Sequence, residues 1–312
     1  MNHDWLDPAY CERLTQIMGK SHVQQVIDSF QTPKTTSFRV NRIKTSPQEV
    51  LETLQDIGIA PEPVSWCEEA FIVPPEQRSL LTHSQLVSDG DIYIQGLSSI
   101  FATLALQPEP DQWNLDMAAA PGGKASHMAV LMENRGKLSV VEPIRPRMYR
   151  LADNLKLQGV EIQKTYLMDG RKVGGKVPER FDCIMLDAPC SGDSRIRFDK
   201  PKSQAYWSPR KVKEQSRKQK GLILSAFQAL KPGGRMLYCT CSFSPEENEA
   251  IVDHLLQEEP ESRLSPIEVP FSNWTPGMQQ WQDQSWDDQV QQCVRVIPNA
   301  NYDGFFMASI RK

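Results

Sequence analysis

Two cysteine-bearing stretches hold the residue types best suited to chemistry. In Leu237 to Asn248, LYCTCSFSPEEN, a buried strand ends and Cys239, Thr240 and Cys241 follow. Ser244-Pro245-Glu246-Glu247 then reads as a helix start, with Ser244 as N-cap, Pro245 at the first helical position and Glu247 closing a capping box. A thiol at a strand end beside a helix N-terminus is favoured as its thiolate, the nucleophilic form. Most cysteines are small core residues, and this stretch alone would be read that way. The second stretch, Asp187-Ala188-Pro189-Cys190-Ser191-Gly192, places another thiol just past another strand end.

Ahead of both stretches in the chain lies a ligand loop. Leu115 to Lys124, LDMAAAPGGK, ends a strand in small residues that let a ligand approach the backbone, and the following helix offers free N–H groups. It is not a P-loop: Ala118 stands where the first glycine belongs, and Ala125 replaces the hydroxyl that would bind magnesium, so nucleotide hydrolysis is excluded. It is not GxGxxG either. Glu142 ends the next strand, where an acid binds both hydroxyls of a ribose. Asp169 ends the third, where an acid accepts from an adenine amino group. Each acid alone is an ordinary solvated strand end. Together they point to an adenosyl ligand with no phosphate requirement, and S-adenosylmethionine fits that description better than a dinucleotide.

Two thiols beside such a cofactor suggest one reaction. Carbon 5 of a pyrimidine is too weak a nucleophile to take a methyl group unaided. A thiolate adding to carbon 6 converts the ring into an enamine-like nucleophile. After methylation a base removes the carbon-5 proton and the thiol is eliminated, with an acid near N3 or the exocyclic group holding a proton where charge builds up.

The elements that must position these residues follow a regular rhythm. Strands are predicted at Trp113 to Met117, Lys137 to Val141, Val160 to Leu167, Phe181 to Asp187 and Gly234 to Cys239. Helices fall between them at about Lys124 to Met132, Arg147 to Gly159 and Lys211 to Leu230. This alternation means a parallel sheet with helices on both faces, and ligands at the carboxyl ends of its strands. Val294 to Ile297 and Phe305 to Ile310 close the sheet as a strand pair. Residues 258–290 are polar and irregular and resist placement. Residues 1–90 read as a small N-terminal α/β accessory domain and 91–312 as the catalytic domain. In the first, a helical pattern over residues 3–30 breaks at Gly19-Lys20-Ser21, Ser37 to Asn41 is a short strand, and Ser46 to Glu49 is a capping box opening a helix to about Asp56. Arg39, Arg42 and Lys44 are either polyanion contacts or plain surface.

Taken in order, MAAAPGGK, VVEP, Asp169-Gly170, DAPCSG, WSP at Trp207 to Pro209, LKPGG, YCTCS with EENE, and DGFF at Asp303 to Phe306 resemble the Nop/Sun family of RNA cytosine-carbon-5 methyltransferases, in its bacterial RsmB/RsmF-like form. The resemblance covers about Tyr93 to the C-terminus. It implies a class I S-adenosylmethionine-dependent fold, Rossmann-like, with a seven-stranded mostly parallel sheet. It implies Cys241 as nucleophile and Cys190 as the thiol assisting product release. Asp187 would hold the cytosine edge and the methionine end of the donor. Ala118, Ala119, Ala120, Pro121, Gly122, Gly123, Lys124, Glu142 and Asp169 would bind S-adenosylmethionine, with Lys124 also near the reacting centre. Departures are Ala125 for a usual Thr or Ser, Glu142 for a common Asp, and Cys239 for a common Ser, which suggests three thiols in an oxidation-prone site. The chain stops just after its last strand, where some relatives carry a further RNA-binding domain.

Composition bounds the partners. Net charge is −4, yet from Arg195 to Lys220 ten Lys or Arg face two acids, with Tyr206 and Trp207 interleaved. That run is either a solvated helix face or a phosphate-binding patch. RNA is the expected partner, ribosomal RNA first and transfer RNA second, with the target base in a loop or flipped out. Seven scattered cysteines without CxxC pairing argue for free thiols, no metal, and a cytoplasmic location. No signal peptide or membrane span is expected, and a monomer is the default. Pro189-Cys190 also fits DNA cytosine methyltransferases, a rival reading. An inactive RNA-binding assembly factor is the rival of another class.

Overall fold

The computed structural model describes residues 5–312; the first residues of the helical pattern predicted over 3–30 lie outside them, as do the side chains of Pro201, Ala205 and Tyr206. The chain builds two large sheets and a two-stranded ribbon, Gln280–Trp281 with Gln284–Ser285. The smaller has the order β2-β3-β1-β4, with β1 Thr36–Val40, β2 Glu62–Val64, β3 Cys67–Val73 and β4 Ile92–Ile94, all antiparallel. Phe38, Val40, Val50, Leu54 and Phe71 form its core against the Pro47–Asp56 helix. The Ser46–Glu49 capping box is present on that helix. Strand β4, expected to open the catalytic domain, pairs instead with β1.

The larger sheet carries β5 Trp113–Asp116, β6 Lys137–Val141, β7 Gln163–Tyr166, β8 Phe181–Asp187 and β9 Leu230–Thr240. These five are mutually parallel in the order β9-β8-β5-β6-β7. β8 reads FDCIMLD and its centre is buried on both faces, the mark of a central parallel strand. β10 Arg263–Ser265, β11 Trp274–Pro276, β12 Val294–Val296 and β13 Phe305–Arg311 complete it. β13 runs antiparallel to β9, and β12 to β13, which gives the seven-stranded plan. β10 and β11 add two short strands from the stretch that the sequence left unplaced. One face packs Leu97, Phe101, Met128 and Leu151; the other packs Leu222, Phe227, Ile251 and Leu255. The strand order reverses between β5 and β8, where a ligand crevice is expected.

The first helix, Pro8–Gln31, is interrupted at Gly19, whose φ of 63° is left-handed. It packs on the catalytic half rather than on the small sheet: Phe30 meets Phe243, the Tyr10 hydroxyl donates to the Asp193 carbonyl at 3.1 Å, and Arg13 lies over the Trp281 ring. Arg39 is not a polyanion contact. It is buried, donating to Gln95 Oε1 at 3.0 Å and to Ser126 Oγ at 2.6 Å, so it clamps the small sheet onto the helix after the ligand loop. Lys44 donates to backbone carbonyls of Asp89 and Leu157. Arg42 remains exposed, 3.8 Å from Glu69. Among the described residues no helix is long and apolar enough to cross a membrane.

Candidate active site

Five parallel strands deliver their carboxyl ends to one edge, and the polar residues singled out in the sequence lie there. β5 ends in Asp116, β6 is followed by Glu142, β7 by Asp169 after a short loop, β8 ends in Asp187, and β9 is followed by Cys241. Backbone pairing sets Asp187 beside Cys239, so the loops bearing Cys190 and Cys241 start level.

Two cavities open at this edge. The larger, about 640 Å³, is walled by Ala118, Ala120 and Pro121, by Glu142 and Asp169, and by Asp187, Cys190 and Cys241. Its size suits a small organic cofactor. The smaller, about 270 Å³, is walled by Tyr93, Asp116, Ala119, Gly123, Lys124, Asp303 and Phe305, and again by Asp187 and Cys241. The two share Ala118, Ala120, Pro121, Asp187, Arg195 and Cys241, so Cys241 stands at their junction. Gly122 lines neither; its φ of 112° makes the turn into the Gly123–Leu131 helix.

The sulfur atoms of Cys190 and Cys241 are 3.1 Å apart and unbonded, within reach of an S–H···S contact. The hydrogen bond from Cys190 holds the Cys241 thiol below its ordinary pKa; burial opposes this, and Arg195 and Lys124 act with it. The same contact, reinforced by burial, pushes Cys190 well up. Of the two thiols, Cys241 is therefore the one that ionises first. Lys124 donates to Asp187 Oδ2 at 2.7 Å and lies over the Phe305 ring. Burial pushes the Lys124 ammonium down, but Asp187 outweighs it and keeps the group cationic. Cys239 does not join the reactive pair. It is buried, with its thiol pushed well up by burial, so the expected three-thiol site holds two reactive thiols.

The cofactor side fits S-adenosylmethionine in part by its acids. Glu142 is nearly fully buried at the cavity wall, accepts from the Ile144 N–H at 2.9 Å and lies 3.4 Å from Arg147. Its carboxylate is thus fixed at the wall of the larger cavity. Asp169 is taken up by Arg171, whose Nη2 is 2.5 Å from Oδ2, and this holds its carboxyl below the usual range. An adenine amino group would have to share that carboxylate with Arg171.

A model of the 16S rRNA methyltransferase RsmB/F matches residues 103–311. This chain belongs to the RsmB/F methyltransferase family. A model of the N-terminal domain of the 16S rRNA methyltransferase RsmF matches residues 6–96. Ribosomal RNA small subunit methyltransferase F of Vibrio parahaemolyticus is 33% identical over 99% of the chain, which spans 63% of that relative's length. The tRNA (cytosine(49)-C(5))-methyltransferase of Pyrococcus abyssi is 36% identical over 90% of the chain and 89% of its own length. A methyltransferase homolog from Pyrococcus horikoshii, 29% identical, superposes over the full length of both chains with a TM-score of 0.85.

In this RsmB/F member the two cysteine loops are tied by Glu247, and the tie overturns a sequence expectation. No capping box forms at Ser244: the Ser244 side chain caps nothing, Pro245–Glu247 is a single 3-10 turn, and the next helix begins at Glu249. The Glu247 carboxylate is instead buried, accepting from the Ser191 N–H at 2.8 Å, the Ser191 hydroxyl at 2.5 Å and the Ser242 hydroxyl at 2.6 Å. Ser191 follows Cys190 and Ser242 follows Cys241, so one carboxyl group bridges the residues next to the two sulfurs. Burial raises its pKa to about 7. Ser244 donates to Asp193, whose other oxygen accepts from the Phe243 N–H. Glu247→Ala should leave the serine donors unmet at a cost of about 2–4 kcal/mol. The expected result is a lower Tm and a kcat that falls more than KM rises, with Glu247→Gln, which keeps an acceptor, losing less.

Sequence reasoning missed Asp116, Arg195, Tyr93 and Glu247. Asp116 was the easiest to find, as the last residue of the strand before the ligand loop; burial lifts its carboxyl to about 7. Arg195 lines both cavities yet carried no signal beyond its place in a basic run.

Proposed function

We propose that this protein transfers a methyl group from S-adenosylmethionine to carbon 5 of a cytosine in RNA, through a covalent bond between Cys241 and carbon 6. The observation that carries the reading is the place of Cys241, at the junction of a cofactor-sized cavity and a smaller polar one, with Cys190 in hydrogen-bond contact. S-adenosylmethionine supplies an electrophilic methyl group when bound. Glu142 and the Ala118–Gly123 loop hold that cofactor on one side, with Asp169 at its adenine end. On the other side the base enters between Lys124, Asp187 and Phe305. Asp187 faces both cavities, so it is suited to touching the cytosine edge and the methionine end of the donor. Lys124, cationic beside it, offers a proton donor where negative charge builds on the ring.

Ribosomal RNA is the first substrate reading, supported by the match of residues 6–96 to the RsmF N-terminal model. Transfer RNA is the second, supported by the match to 89% of the length of the Pyrococcus abyssi enzyme, against 63% for the Vibrio one. The division between accessory and catalytic parts falls after β4, near residue 96. One chain supplies every wall of both cavities, so a monomer suffices. The reactive thiol pair suits a reducing, cytoplasmic compartment. The test is labelled methyl transfer to total RNA by the purified chain, with bisulfite sequencing of a deletion strain against its parent. One protected cytosine lost on deletion is expected and names the RNA. Transfer to DNA alone, or RNA binding without S-adenosylmethionine binding in calorimetry, would overturn the reading.

A further inference from the structure

The two thiols that serve methyl transfer are also placed to react with each other. Their sulfurs stand 3.1 Å apart, on residues 51 positions apart in the chain. A disulfide bond is about 2.0 Å long, so closing it takes an approach of about 1 Å. The backbone allows that approach. Asp187 and Cys239 are paired across β8 and β9, and adjacent strands run about 4.8 Å apart, inside the span that a disulfide bridges. Cys190 and Cys241 follow that rung on segments outside any helix or strand. The Glu247 carboxylate ties the two segments together through Ser191 and Ser242. Access is open as well: Cys241 lines both cavities and Cys190 the larger one. Of the other five cysteines, Cys67, Cys183, Cys239 and Cys293 are buried, and Cys11 lies on the first helix. A thiol that ionises readily, faces solvent and has a second thiol in contact is the arrangement that reacts with peroxides. Cys241 meets all three conditions, with its thiol held below the ordinary range by the Cys190 hydrogen bond.

We propose that Cys190 and Cys241 are a peroxide-reactive pair, which hydrogen peroxide closes into a disulfide that reversibly stops methyl transfer. The Cys241 thiolate attacks one peroxide oxygen; the sulfur–oxygen bond forms, the oxygen–oxygen bond breaks, and hydroxide leaves and takes up a proton as water. Cys241 is then a sulfenic acid. The Cys190 sulfur attacks it; the sulfur–sulfur bond forms, the sulfur–oxygen bond breaks, and the hydroxyl leaves as water with the Cys190 proton. Two thiols are oxidised to one disulfide and one peroxide is reduced to two waters. Cys190 thereby also spares Cys241 the further, irreversible steps to sulfinic and sulfonic acid. In a reducing compartment such a bond is transient, as a switch requires. The disulfide goes beyond the methyltransferase reading; only its effect on methyl transfer rests on it.

The test treats the reduced, purified chain, without RNA, with a small excess of hydrogen peroxide. Intact mass should fall by about 2 Da, the two hydrogens lost to one disulfide. Free thiols counted after denaturation should fall from seven to five. Tandem fragmentation must place the link, because tryptic peptides 181–195 and 236–263 also carry Cys183 and Cys239. Methyl transfer to total RNA should drop at least about tenfold and return to within about twofold of the starting rate with dithiothreitol. Cys11→Ser should form the same link. Cys190→Ala should instead gain about 32 Da on Cys241, the two oxygens of a sulfinic acid, which dithiothreitol does not remove. The proposal is overturned if the parent keeps seven thiols, if the link joins Cys183 or Cys239, or if Cys241 gains oxygen as fast in the parent as in Cys190→Ala. A linked parent that methylates at its starting rate also overturns it and leaves the methyltransferase reading standing. A reduced parent that methylates no RNA sinks that reading, and the switch with it.

Discussion

Cys241→Ala is expected to reduce methyl transfer by roughly 10⁴-fold or more, in line with removal of an attacking nucleophile, while leaving S-adenosylmethionine binding within about twofold of the parent. The expectation starts from charge. Cys190 donates to the Cys241 sulfur, and Arg195 and Lys124 add positive potential, so the thiolate of Cys241 forms at lower pH than that of a free cysteine. That anion supplies the electron pair that bonds to carbon 6 and makes carbon 5 nucleophilic. No neighbour can replace it. The Cys190 thiol is pushed well up and stays protonated, and Cys239 is sealed in the core. Serine would not serve either, since its hydroxyl does not ionise in this range. The residues proposed to hold the cofactor, Glu142 after β6 and the loop after β5, are on other elements, so its affinity should survive. Label transfer and calorimetry on the same preparation check both halves. Methylated product at the parental rate from the alanine variant would end the covalent mechanism.

Legibility in the sequence followed local physics. Most of the parallel strands were visible as short apolar runs bounded by polar residues, and β6 and β8 fell where expected to the residue, whereas β7, QKTY, is polar, mostly exposed and shorter than the expected Val160 to Leu167. Residues at strand ends were visible for the same reason: in a parallel sheet the carboxyl edge is fixed once the strands are, so Glu142, Asp187 and Cys241 had to face one crevice. What failed depended on partners remote in sequence. Glu247 has the spacing of a capping box, but a carboxyl group 56 residues from Ser191 and buried with it finds stronger partners there than at its own helix start. Arg39 looks like a surface cation, and only the approach of Ser126 and Gln95 explains its burial. β10 and β11 are three residues each, too short for a period, and exist because β13 and β12 offer free edges. A cavity of about 520 Å³ joins Lys34 and Arg78 to Arg195 and Lys200, a charge cluster that no window along the chain contains.

Cys190→Ala should have the opposite phenotype: a covalent protein–RNA adduct that persists. Once carbon 5 is methylated, a base removes its proton, the freed pair forms the carbon 5–carbon 6 double bond, and the carbon 6–sulfur bond breaks with its electrons returning to Cys241. The leaving sulfur therefore regains a negative charge within hydrogen-bond reach of the Cys190 thiol, 3.1 Å away in the free protein. A donor held there stabilises that charge as it develops. Without it, elimination slows more than addition, because a thiolate that has lost its nearest donor is a poorer leaving group but a stronger nucleophile. The adduct should appear as a slow band on a denaturing gel, require S-adenosylmethionine, and vanish in the Cys190→Ala/Cys241→Ala double variant. The same substitution has a second readout without RNA. Since the Cys190 hydrogen bond is the main cause of the lowered Cys241 pKa, its loss should move the pH midpoint of Cys241 alkylation upward. An adduct formed by Cys241→Ala and absent from Cys190→Ala would exchange the two roles, and would favour the Pro-Cys nucleophile of the DNA enzymes.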